Sequence, residues 1–109
     1  MATNYAFLPE LLSEVEIPSK GILSRTLHND ERVRIVLFGF AAGEELSAHT
    51  APVPAVLYFL KGEARLKLGE DMLEAKAGSL AHMAPNLPHG IFAKTPLVML
   101  LVMAKEPKA

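Results

Sequence analysis

The chain has neither cysteine nor tryptophan. Without thiols it can form no disulfide, no thiolate metal site and no cysteine nucleophile, a composition that suits a reducing cytoplasm. Two Tyr and five Phe are too few for a platform on which nucleobases stack. Neither sign of charge dominates: the formal net charge is −1 and no basic cluster occurs, so the electrostatic footprint of a nucleic-acid binder is missing. The longest strongly apolar run, Leu97 to Ala104, is eight residues, where a membrane-crossing helix needs about 20. The opening stretch "MATNYAFLPELLSE" lacks the basic and apolar regions of a secretory leader, so none is expected. No G-x-S-x-G elbow, G-x-x-x-x-G-K-[ST] loop or G-x-G-x-x-G turn is present. These exclusions predict a soluble, cytoplasmic protein with no nucleic-acid and no membrane partner.

What the chain does have is a regular strand rhythm. Its 109 residues suffice for one core, and half of them are hydrophobic. Turn formers recur at Pro18, Gly21, Asn29-Asp30, Gly43, Pro52, Pro54, Gly62, Gly69, Gly78, Pro85, Pro88 and Pro96, with short segments rich in Val, Ile, Leu and Phe between them. That spacing predicts an all-β sandwich or barrel. One domain is expected over residues 1–109: an arm over about 1–20, a barrel over about 21–104 and a frayed tail at 105–109.

In "EARLKLG", Ala64, Leu66 and Leu68 alternate with Glu63, Arg65 and Lys67, as in a strand with one wet face. "LEAKAG" repeats the pattern, and Gly69-Glu70-Asp71 between them predicts a hairpin turn. "RIVLFGF" and "LVMLLVMA" are apolar on both faces, so their sheet should be covered twice. The outer cover would be a second copy of the chain, in a homodimer, or the N-terminal segment. The one helical candidate is "PELLSEV", residues 9 to 15, which also fits an edge segment. Met83, Met99 and Met103 read as gap-filling core.

The chemistry rests on histidines. "GEELSAHTAPVPAVLYFLKG", residues 43 to 62, holds His49, and "GSLAHMAPNLPHGIF", residues 78 to 92, holds His82 and His89. His28 precedes the Asn29-Asp30 turn and reads as surface. The spacing from Gly43 to His49 and on to Gly62 resembles the first motif of the cupin superfamily, G-x5-H-x-H-x3-4-E-x6-G. Gly78 and "PNLPH", ending in Pro88-His89, resemble the second. Asn86 stands where that motif usually has glycine, and Asn is the next best residue for a left-handed turn. The resemblance implies a single-domain jelly-roll β-barrel, the double-stranded β-helix. It also implies that His49 and His89 converge inside that barrel, on strands facing each other across it.

The chain departs from the family pattern at two ligand positions. The second histidine of the first motif falls at Ala51, and the glutamate falls at or next to Ala55. Only His49 and His89 carry over. A catalytic metal site normally has three protein ligands, so His82 is the candidate third donor; it reads equally as a core histidine bonded to backbone. By resemblance the pocket would take a small organic molecule. A divalent transition metal (Zn, Mn, Fe, Ni or Cu) could sit at its centre, with dioxygenase- or isomerase-like chemistry. The alternative is a metal-free binding or sensor module in which the histidines supply only hydrogen bonds. Tyr58, Phe59 and Phe92 are candidate pocket-lining residues, and each also reads as core.

Overall fold

The computed structural model describes residues 4–106. Nine strands form among them: β1 (Ile22–Asn29), β2 (Val33–Phe40), β3 (Glu45–His49), β4 (Ala55–Lys61), β5 (Glu63–Leu68), β6 (Asp71–Lys76), β7 (Leu80–Met83), β8 (His89–Ala93) and β9 (Leu97–Ala104). They make a five-stranded sheet, β1-β2-β9-β4-β7, and a four-stranded sheet, β3-β8-β5-β6, packed face to face. All pairings are antiparallel. The all-β jelly-roll expectation holds.

"PELLSEV" contains only a 3₁₀ turn, Leu11–Ser13, closed by the Ser13 and Glu14 amides donating to Glu10 and Leu11. The last three residues of the expected frayed tail, 107–109, lie outside the described residues. Lys105, by contrast, is held: its amide donates to the Arg32 carbonyl at 2.8 Å and its ammonium to Asn29 Oδ1 at 2.8 Å.

The connections sort the barrel into two ends. At the closed end, short turns join each strand of one sheet to a strand of the other: β2 to β3, β4 to β5, β6 to β7 and β8 to β9. These turns hold one another, with the Gly43 amide donating to Ala93, Gly78 to Phe59 and Lys94 to Glu63, at 2.8–2.9 Å. Gly43, Gly62 and Gly78 all carry positive φ there, the conformation their turns require. At the open end lie the longer loops 50–54 and 84–88, the β5–β6 hairpin turn and the β1–β2 turn. Asn86, at φ +67°, donates its amide to Ala51 at 2.7 Å and so ties the two long loops together.

Period-two alternation sets the core. Ala55, Leu57 and Phe59 of β4, Ala64 and Leu66 of β5, Ile91 and Ala93 of β8, and Phe40, Leu97 and Met99 all point between the sheets and are buried. Each large apolar side chain removed from water there contributes roughly 1.5–3 kcal/mol.

The doubly apolar strands β2 and β9 lie side by side in the larger sheet, as a sheet covered twice requires. Leu37, on its outer face, has no exposed surface. The N-terminal arm supplies cover there. A Cβ at Gly39 would meet the Glu16 carbonyl oxygen at 2.7 Å, so the arm rests directly on the sheet backbone. The arm's Glu14 also pairs with Arg25 of β1 at 3.5 Å. Leu23, Tyr58 and Leu80 nevertheless remain exposed on the same face.

Candidate functional site

His49 and His89 meet at the open end. They are not on strands facing each other across the barrel, as expected from the sequence. β3 and β8 are neighbours in one sheet, and the two histidines are ladder partners. A bulge makes this possible. Leu46 pairs with Ile91 and His49 with His89, so three steps on β3 answer two on β8. Without the extra residue, Leu46 and His49 would point to opposite faces. With it, both point inward.

Gly90 lets the bulge sit close. A Cβ there would come within 3.2 Å of the Ala48 nitrogen and of the Leu46 carbonyl oxygen. The imidazole ring centroids are 4.3 Å apart, and the rings are tilted by 56°. His89 is buried while His49 is open to solvent. One wall of the site is therefore dry and the other wet.

Both rings are oriented in the same way. His49 Nδ1 donates to the Ser47 carbonyl at 3.0 Å and His89 Nδ1 to the Leu87 carbonyl at 2.9 Å. A carbonyl can only accept, so these bonds assign the proton of each neutral ring to Nδ1. Each Nε2 is left with a lone pair for a ligand's N–H or O–H, or for a metal ion. Leu46, Leu68 and Leu87 are half-buried and packed on the core at this end, and Leu68 is the ladder partner of His89.

The other candidates do not join this pair. His82 pairs in register with Val56 and lies on the outer face of β7 with Leu80, so neither the third-ligand nor the core expectation holds. The alternation of β7 decides this, because Ala81 and Met83 take the inward positions. Tyr58 faces outward for the same reason, between the inward Leu57 and Phe59. Phe92 also faces outward, and the Arg65 guanidinium lies 5.8 Å from its ring centre. Phe59 does face inward, but it is wholly buried in the core and lines no opening.

The remaining histidine, His28, binds Asp30 through Nε2 at 2.7 Å. That bond, followed by the amides of Arg32 and Val33, holds the Asp30 carboxyl at about 2. Asp30 is thus committed to its own turn.

The arrangement matches a known family. A family model described as a cupin domain matches residues 36–103. The chain belongs to the cupin domain family. Among solved structures it is similar to a conserved protein of unknown function from Streptococcus pyogenes, with 30% identity, a TM-score of 0.84, and 98% of this chain and 93% of that one covered. It is also similar to a cupin superfamily protein from Desulfitobacterium hafniense, with 25% identity, a TM-score of 0.84, and 95% and 94% covered. KdgF from Halomonas sp. shares the fold at 16% identity and a TM-score of 0.76, over 79% of this chain and 82% of that one. No curated protein matches the chain.

Cupin barrels commonly carry a metal, so the donor set of this cupin must be tested against one. Among the described residues no group of three His, Cys, Asp or Glu side chains converges. Ala51 and Ala55 occupy the family's other two ligand positions, and Ala55 offers only a methyl group. Two imidazoles alone fall short of the three protein ligands that catalytic sites use, and they do not fit a resident divalent ion.

The bulge was not foreseen from the sequence, although Gly90 carries a signal for it, since glycine inside a strand marks a bulge or a close backbone approach.

Proposed function

We propose that this cupin is a binding module for a small organic molecule, held at the open end of the barrel by His49 and His89 without a resident divalent metal. The observation that carries this reading is the matched orientation of the two rings. In each, Nδ1 is taken by a backbone carbonyl, which leaves the Nε2 lone pair free for a ligand. A ligand with an amine group, or with two hydroxyls, satisfies both acceptors, and its apolar part packs on the leucines, as in most small-molecule pockets. The missing ligands at Ala51 and Ala55 favour this reading over metal-centred dioxygenase or isomerase chemistry.

Elemental analysis of the purified protein after supplementation with Zn, Mn, Fe, Ni and Cu tests it, beside His49→Ala and His89→Ala. The expected result is no stoichiometric metal in any of the three. Stoichiometric metal in the wild type that disappears in both variants would replace this reading with the metal-centred one.

The same proposal includes a two-fold homodimer. Leu23, Tyr58 and Leu80 share an outer face that the arm leaves open, and Tyr58 and Leu80 are ladder partners on it. Two-fold pairing is the commonest way to close such a face. Light scattering should return twice the 11.8 kDa chain mass. A monomer throughout the micromolar range would overturn it.

A further inference from the structure

We infer that the ligand of this site is an organic anion, a hydroxy-carboxylate whose carboxylate is bound by Arg34; the inference rests on the proposed role of His49 and His89. Arg34 is the last inward position of β2. Its ladder partner is Met103, and the inward series behind it is Val36, Phe38 and Phe40. Arg34 is exposed and ends an apolar row at an inward register position; the outward Arg25 and Arg65 each pair with a glutamate, and Arg34 does not.

Arg34 also lies at the same end of the barrel as the histidines. β4 and β5 leave the Gly62 turn together, and their inward positions furthest from it are Ala55 and Leu68. Leu68 pairs with His89, and Ala55 pairs with Met103, which is level with Arg34. A groove of about 350 Å³ opens there, lined by Asn29, Arg34, Val53, Met103, Lys105 and Glu106. Val53 belongs to the loop that follows His49, so this groove and the histidine pair lie at the same end of the barrel. Met103 reaches from the groove to the core.

The groove's two cations, Arg34 and Lys105, outnumber its one carboxylate, Glu106. Among the described residues no carboxylate forms an ion pair with Arg34 or Lys105, Glu106 included. Asp30 is spent on His28 and on two amides of its turn. Arg34 has a single long contact, 3.5 Å to Thr26 Oγ1, which leaves most of its donor fork for a planar anion. The hydroxyl of the ligand would then donate to an Nε2 lone pair across the barrel.

The test uses two probes of equal chain length, 6-hydroxyhexanoate and 1,6-hexanediol, titrated into the whole protein while the His49 and His89 imidazole NMR signals are followed. The wild type should bind the carboxylate at least tenfold more tightly than the diol. Arg34→Gln should bring the two to equal affinity, and His89→Ala should weaken both. Equal binding by the wild type would overturn the anionic class, and a preference that survives Arg34→Gln would overturn the role of Arg34; both leave the histidine site standing. If neither probe moves the imidazole signals at any concentration, both the inference and the binding-module reading fall, and metal content then decides what replaces them.

Discussion

Gly62→Ala should lower the melting temperature by about 15 °C, where Gly43→Ala lowers it by roughly 5 °C. Both glycines have positive φ, +92° and +85°, so both substitutions meet the left-handed penalty, about 1 kcal/mol or slightly more. They differ in their surroundings. Nothing lies within 4 Å of a Cβ at Gly43. At Gly62 the added carbon falls on the carbonyl oxygen of Pro96, with Thr95 Oγ1 at 3.0 Å and Leu97 Cα at 3.1 Å.

Backbone cannot swing aside as a side chain can, and this backbone is held. The Lys94 and Thr95 amides both donate to Glu63, and the Glu63 amide donates to Thr95 Oγ1 at 2.9 Å. Overpacking of this kind adds about 1–3 kcal/mol, which brings the total to about 2–4 kcal/mol. Since about 1 kcal/mol moves the midpoint of a domain this size by roughly 4–8 °C, the two variants separate clearly in a thermal melt. Equal losses would mean that the β4–β5 and β8–β9 turns can part without cost.

Gly62 also shows what the sequence could and could not disclose. Its place was legible, because turn residues punctuate the chain and the interval from His49 fits the cupin motif. Its reason was not, because the carbonyl it must avoid belongs to a turn more than 30 positions away. The histidines follow the same logic. Spacing was enough to expect His49 and His89 together, but it could not distinguish strands that face each other from strands that pair.

That difference comes from an irregularity. A single extra residue on β3 reverses the facing of His49, and strict alternation has no place for it. Alternation did decide β5, where Ala64, Leu66 and Leu68 point inward as their pattern requires. It failed to place His82, Tyr58 and Phe92 only because the phase of each strand relative to the core was unknown. A strand's period is written in its own residues. Its phase is set by the neighbours it pairs with.

The strongest test of the metal-free reading is to return a donor to this cupin. Ala55→Glu places a carboxylate at the position corresponding to the family's glutamate. Ala55 is buried and inward, between its ladder partners Met83 and Met103, at the barrel end that holds the histidine pair. Without metal, the variant should lose about 3 kcal/mol, because an unpaired carboxylate among apolar groups is uncompensated. With Zn or Mn added, the carboxylate and the two Nε2 atoms supply three protein ligands and leave a position open, the usual catalytic set. Metal at 100 times its dissociation constant returns about 2.7 kcal/mol, so the melting temperature should rise by more than about 10 °C. The wild type should show no comparable rise. Acidification should erase the gain, since imidazole coordinates only when neutral. Adding His89→Ala to the variant should also erase it, by removing a ligand. A variant that stays destabilised and indifferent to metal would mean that position 55 does not reach the histidine pair. The metal-free reading could then no longer rest on the alanine that stands there.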